Sequence, residues 1–362
     1  MRTKTVALLV IGSLVASIFL LAGCQPTPAP TEAPEPTSPP PTEVPTEEPA
    51  EEPSGPVEPL DVAFLCTGVV DDQSWNQWIY EGLSRLQTEG QINLSVSEEV
   101  DIPDYGRIAT EYAEEGYDLI LGNTPEMQEA SLAVSEEYPD SHFAVVGAWM
   151  LGDNHASMLI HQTQGAYLAG LVAGSMTQTD SLAAVGCFDV PTQIASHEGF
   201  KLGIAQVNPD AEVQDVWTGT WYDVNIGYEA AQALIESGVD VIMISCSGPG
   251  FGVLEAAKDT GPEVMVVGAF VDMQEVAPEN VMTSVVWDSY AATLEMLENI
   301  RAGTFEGREY WGTVANGGIG LSPYWGFESQ IPEDVKTLVR DATEQIRDGT
   351  LDIPWIGEVP EE

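Results

Sequence analysis

The chain has 362 residues, with 58 acidic against 11 basic side chains and a formal net charge of -47. That excess argues against a nucleic-acid partner, because phosphate binding needs a basic face; it reads instead as solubility in the protein's surroundings. Beyond the N-terminal segments about 300 residues remain, one large domain or two ordinary ones.

Residues 1–24 read as a targeting segment. Arg2 and Lys4 form a positive start, and Val6 to Leu20 an apolar run too short and too early for a spanning helix. The segment ends Leu21-Ala22-Gly23-Cys24, which resembles the bacterial lipobox. That resemblance implies cleavage before Cys24, lipidation of its thiol, and a lipid anchor on the extracytoplasmic face of the cell membrane. Residues 25–59 change abruptly to Pro, Thr and Glu with no Lys or Arg. Such a stretch cannot bury a core, so it reads as an extended, solvated tether.

The globular part begins with Asp61 to Thr67, a short apolar run that predicts a buried strand of a parallel sheet. The loop after it, Gly68 to Gly82, is dense in ligand-capable side chains: Asp71, Asp72, Ser74, Trp75, Asn76 and Trp78. A β-to-α loop opens at the carboxyl end of a strand, where open α/β sheets bind ligands. Asp72 or Ser74 is equally suited to capping the next helix. Two aromatics interleaved with Asp and Asn in one turn exceed what capping requires, and they suit a small-molecule pocket.

Strand and helix patterns then alternate. Strands are predicted at Tyr117 to Gly122, His142 to Gly147, Ala156 to Ile160, Leu182 to Phe188, Glu212 to Trp217, Val239 to Ser245, Val264 to Ala269 and Val281 to Val286. Helices are predicted at Pro125 to Glu137, Gln162 to Ser175, Gln193 to Val207, Asn225 to Glu236, Gly252 to Lys258, Ser289 to Arg301 and Pro332 to Asp348. This alternation defines an α/β fold with a parallel sheet covered on both faces. Two such sets, exchanging near residues 150–180, make residues 60–362 a two-lobed domain with a cleft, and the C-terminal segments are free to cross back.

Other motifs carry less. Gly248-Pro249-Gly250-Phe251-Gly252 lacks the third Gly of a dinucleotide fingerprint and the Lys of a P-loop, so it reads as a tight turn. His142, His155, His161 and His197 show no zinc-type pairing, and no Gly-x-Ser-x-Gly elbow is present. Neither metal, cofactor nor catalytic residue is expected, so the chain reads as a binder and not an enzyme. Cys66, Cys187 and Cys246 lie in or beside apolar runs and read as buried core residues, with a single disulfide left open in an oxidising compartment.

Several motifs together resemble one family. They are Asp71-Asp72-Gln73-Ser74-Trp75-Asn76-Gln77, the run Gln164 to Gly174, Glu198-Gly199-Phe200, Gly219-Thr220-Trp221-Tyr222-Asp223 leading into Glu229-Ala230-Ala231, Gly238 to Ile242, and Thr283-Ser284-Val285-Val286-Trp287. They are similar to the basic membrane protein family of bacterial lipoproteins, substrate-binding components of ABC importers that include purine nucleoside binders. The resemblance implies two Rossmann-like lobes of type I periplasmic-binding-protein architecture, closing on one small molecule that is delivered to a membrane permease. It places Asp71 or Asp72, Ser74 and Asn76 at the ligand, Trp75 or Trp78 against one face of a purine, and Trp221 with Asp223 on the opposite side.

The departures from the family pattern narrow the ligand. The nucleoside binders' acidic residue falls on Gly147, with Trp149 close behind; their ribose-binding Asp falls on Phe270, with Asp272 following; their Lys falls on Trp287. A ribose there would face aromatics, and an unmade buried hydrogen bond costs roughly 1 to 3 kcal/mol. A free purine base such as adenine is therefore expected over a nucleoside. A sensory receptor with the same cleft, an extracytoplasmic nucleoside hydrolase, and a quaternary-amine cage of Trp75, Trp78, Trp221 and Trp287 are the alternatives.

Overall fold

Short aliphatic runs lay down two separate sheets. The computed structural model describes residues 58–357, so the targeting segment and nearly all of the tether lie outside the described residues. In chain order the first elements are β1 (Leu60–Leu65), α1 (Gln77–Thr88), β2 (Ile92–Ser97), α2 (Tyr105–Glu114), β3 (Leu119–Gly122), α3 (Gln128–Glu137), β4 (His142–Val146) and β5 (His155–Ile160). The second series is α4 (Gln162–Met176), β6 (Ser181–Gly186), α5 (Pro191–Val207), β7 (Glu212–Trp217), α6 (Val224–Glu236), β8 (Val241–Ile244), α7 (Gly248–Thr260), β9 (Met265–Phe270) and β10 (Val281–Trp287). The chain ends with α8 (Tyr290–Ala302), β11 (Glu309–Gly312), β12 (Ile319–Leu321) and α9 (Glu333–Arg347).

The first sheet has the order β11-β5-β4-β3-β1-β2 and is parallel throughout; the second has the order β12-β10-β9-β8-β6-β7, with β12 antiparallel to β10. All residues of β3, β8 and β9 are buried, as strands covered on both faces must be. The apolar helix α4 is nearly enclosed. Its Gly170 lies against Phe200 and Gly203 of α5, where any Cβ would strike backbone. The glycine-rich run Gln164 to Gly174 thus serves helix packing within the second lobe.

The chain passes between the sheets at His161, at Asp288, and across residues 313–318. These passages are bonded side by side: the His161 amide donates to the Gly312 carbonyl at 2.8 Å, and the Asp288 amide to that of Gly318 at 2.9 Å. Backbones can approach this closely because position 318 is glycine; a Cβ there would collide with Gly312. The lobes therefore share a narrow, multistranded base.

Four elements went unforeseen: β2, α2, β11 and β12. The segment Gly248 to Gly252 is not a tight turn but the start of α7. Pro249 fits a first helical turn, where its missing N–H is not needed, and Gly252 lets α6 pack against this turn. Cys187 and Cys246 are buried as expected, and they also form the single disulfide left open above, with Cα atoms 5.3 Å apart. The register explains it, since Val185 pairs with Ile244 and each cysteine lies two residues further on. Cys66 is free and buried, and burial pushes its thiol up to about 12.

Candidate ligand-binding cleft

The carboxyl ends of both parallel sheets carry the loops that face the cleft, as the chemistry of open α/β sheets requires. On the first lobe the loop before α1 is held from within. The Asp72 carboxylate accepts from the backbone amides of Ser74, Asn76 and Gln77 at 2.9 to 3.2 Å, satisfying donors that a helix start leaves open. Asp72 therefore caps the start of α1. Asn76 is also committed: its Nδ2 donates to the Val69 carbonyl at 3.1 Å, and its Oδ1 accepts from Asn123 Nδ2 at 2.6 Å. Asp71 is exposed.

The rings form a cluster that bridges the lobes. Trp75 lies 5.7 Å from Phe270 and 5.8 Å from Trp287, and Trp78 lies 5.5 Å from Trp287, all in edge-to-face contact. Phe270 and Trp287 touch at 4.8 Å. Trp78 is wholly buried, whereas Trp75 is half-buried. Phe270 has φ of 70°, a left-handed conformation that is an outlier for a bulky residue and that packing against Trp75 and Trp287 holds in place.

Three polar atoms next to this cluster are buried and have no hydrogen-bond partner among the described residues: Ser74 Oγ, Trp78 Nε1 and Asn123 Oδ1. Asn123 is fully buried, and its carbonyl accepts from Trp75 Nε1 at 2.9 Å. Its unpartnered Oδ1 is an acceptor beside the Trp75 indole. Sequence reasoning missed it, although it directly follows strand β3 at the ligand end of the sheet.

On the second lobe Trp221 stands against Phe188 at 4.9 Å, apart from the four-ring cluster. Phe188 was also missed. The proposed quaternary-amine cage is not assembled, because Trp75, Trp78 and Trp287 pack on one another and Trp221 pairs elsewhere. Asp223 caps α6 by accepting from the Asn225 amide at 3.0 Å. Asp272 accepts from Trp325 Nε1 at 2.7 Å and from the Gln274 amide, which fixes a surface turn. Trp149 is 73% exposed on the first lobe's rim.

One further polar series lies in the second lobe. His197 Nδ1 is 3.0 Å from Asp215 Oδ1, and its Nε2 is 2.9 Å from Ser245 Oγ. These are the residue types of a nucleophilic triad, but His197 and Ser245 are only 1% and 6% exposed, and Trp217 covers the imidazole face at 4.2 Å. The would-be base and nucleophile are thus enclosed, and only the Asp215 end of the series reaches the surface.

Two α/β lobes joined at a narrow base, with aromatic and unpartnered polar groups between them, define a ligand-capturing protein of type I periplasmic-binding-protein architecture. The Bmp family profile, described as ABC transporter substrate-binding protein PnrA-like, matches residues 60–362, and the chain belongs to that family. It is similar to a purine-binding protein of Brucella abortus, with 26% identity over 83% of this chain and 85% of the relative. It is also similar to a Haloferax volcanii protein provisionally named as an ABC transporter glucose-binding protein, with 28% identity over 83% of this chain and 75% of the relative. Among solved structures, an ABC transporter solute-binding protein of Conexibacter woesei superposes with a TM-score of 0.69 at 28% identity, over 83% of this chain and all of the other. The protein is thus a substrate-binding component of an ABC transporter; a small-molecule ligand, a permease partner and an extracytoplasmic site of action go with that role. Among the described residues no helix is long and apolar enough to cross a membrane.

Proposed function

We propose that this protein captures a small flat heterocycle, an adenine-like purine base, and carries it to its permease without chemical change. The observation that carries the reading is the Trp75, Phe270 and Trp287 cluster, which fills with apolar rings the side of the cleft where a ribose would need polar partners. Trp75 and the Phe188–Trp221 pair offer a ring face from each lobe, and base-to-aromatic stacking contributes about 1 to 3 kcal/mol. The free Asn123 Oδ1 supplies an acceptor for an exocyclic amino group. The purine-binding relative from Brucella supports the class, and the glucose-named relative makes glucose the competitor to exclude. Anchoring through a lipidated Cys24 completes the proposal, and a Cys24→Ala chain should leave the membrane fraction.

Calorimetric titration of the full chain with adenine, adenosine, guanosine, glucose and choline tests the reading. Adenine is expected to bind more tightly than adenosine, and Trp221→Ala to weaken adenine at least about tenfold, one stack's worth. Equal binding of adenosine would overturn the lost-ribose argument, and binding of glucose alone would overturn the purine reading. Adenosine incubated with the protein should release no free base.

A further inference from the structure

The Phe188–Trp221 wall stands on a support that sequence motifs do not reveal. Helix α5 presents Gln193 and His197 one turn apart on a single buried face. Gln193 Oε1 accepts from the Cys187 amide at 2.6 Å and from the Phe188 amide at 3.3 Å. His197 reaches the two neighbouring strands, bonding Asp215 on β7 and Ser245 just beyond β8. Its ring lies parallel to Trp217, at 6° between planes, and Trp217 ends the strand that leads into the loop carrying Trp221. Ser245 precedes Cys246, whose disulfide returns to Cys187 beside Phe188. The Cys187 carbonyl in turn accepts from the Gly219 amide at 2.7 Å. Two routes from the imidazole, through Trp217 and through Ser245, therefore lead toward Trp221 and Phe188.

We propose that His197 is a positioning residue for ligand capture: through Asp215, Trp217 and Ser245 it sets where the second lobe's aromatic wall stands. The neutral imidazole fits both bonds at once, with Nδ1–H donating to Asp215 and Nε2 accepting from the Ser245 hydroxyl. A protonated ring would donate at both nitrogens, and Ser245 would have to turn its proton to the Val185 carbonyl, 3.4 Å away. The charged groups facing the ring are Asp215, Lys201 and Glu198. Lys201 already bonds both carboxylates, so Asp215 is a fixed acceptor whether or not the histidine is charged. Burial holds the imidazole below its ordinary value, with Asp215 pulling the other way.

The proposal rests on the reading that Phe188 and Trp221 face the ligand, and its test separates the two. The full chain is labelled with 5-fluorotryptophan, and the Trp221 and Trp149 resonances are followed without ligand in wild type, His197→Phe and Ser245→Ala. His197→Phe keeps a ring against Trp217 but drops both bonds. The Trp221 resonance is expected to move in both variants while Trp149, on the other lobe, stays in place. Adenine affinity should fall about tenfold in His197→Phe, and less in Ser245→Ala, as lost hydrogen bonds loosen the wall. A histidine that merely stabilises the fold would lower the melting temperature and leave Trp221 unmoved, and that result overturns the proposal. If His197→Phe does not fold, an unmoved Trp221 in Ser245→Ala overturns it alone. If wild type ignores adenine while Trp221 moves in the variants, the purine reading falls and the positioning role stands.

Discussion

The two walls of the cleft are built to the same plan and fixed by different chemistry. In the first lobe the loop after β1 is held by side-chain acceptors that answer backbone donors, with Asp72 at its centre and the Asn76–Asn123 amide pair beneath it. In the second lobe the corresponding loops are held by a disulfide and a buried imidazole. Equivalent positions of a repeated fold therefore need not share their sensitivities. Reductant has a disulfide to break only in the second wall among the described residues.

The largest effect should come from breaking that asymmetry. The disulfide closes 59 residues of chain, and a cross-link of that span contributes about 2 to 4 kcal/mol. Replacing Cys187 and Cys246 together with serine, or adding reductant to the wild type, should lower the thermal midpoint by several degrees. Calorimetric melting checks this, and a wild-type midpoint indifferent to reductant would remove the contrast between the lobes.

A smaller loss is expected from the first wall. Asp72→Ala deletes a cap that serves the start of α1, a change that costs about 1 kcal/mol in comparable caps. Asp72→Asn should retain most of it, because the amide oxygen still accepts. Denaturant unfolding of both variants measures the difference. A loss in Asp72→Ala as large as that of the serine pair would mean that the two walls are held equally strongly.

The same contrast shows how far the sequence could be read. Alternating apolar runs and amphipathic stretches placed most strands and helices, since β3, β8 and β9 are buried on both faces and must be continuous apolar runs. The short strands β11 and β12 were not visible. Glu309 to Gly312 and Ile319 to Leu321 become strands only by pairing with β5 and β10, and no local periodicity encodes a partner brought from elsewhere. At the site, Trp75 could be singled out by type and position, and Phe270 only through the family resemblance. Asp72 could not be assigned between cap and ligand, because both roles ask for a carboxylate at the same place. Asn123 and the disulfide depended on strand register, which composition and spacing leave open.

Acid sharpens the comparison last, and its sign follows from burial. Burial holds the imidazoles of His142 and His155 in the first lobe, His161 at the crossing and His197 in the second lobe below their ordinary value near 6.5, against opposing pulls from Asp118, Met150, Asp352 and Asp215. Each is therefore neutral in the folded chain at a pH where the unfolded chain already takes up a proton. The unfolded state binds more protons, so stability rises with pH across that window. The contribution is complete above 6.5 and is lost as the pH falls from there toward the lowered folded-state values. Unfolding midpoints measured from about pH 8 down to about pH 5 should decline, with most of the change below the ordinary imidazole value. The two lobes should part company only locally: the Trp221 resonance should follow the titration of His197, whereas Trp75, held by the Asn123 carbonyl, has no histidine in its support. A Trp75 signal that titrated in step with Trp221 would mean that protonation moves the lobes as one body, and the second wall would then not be the separately adjustable one.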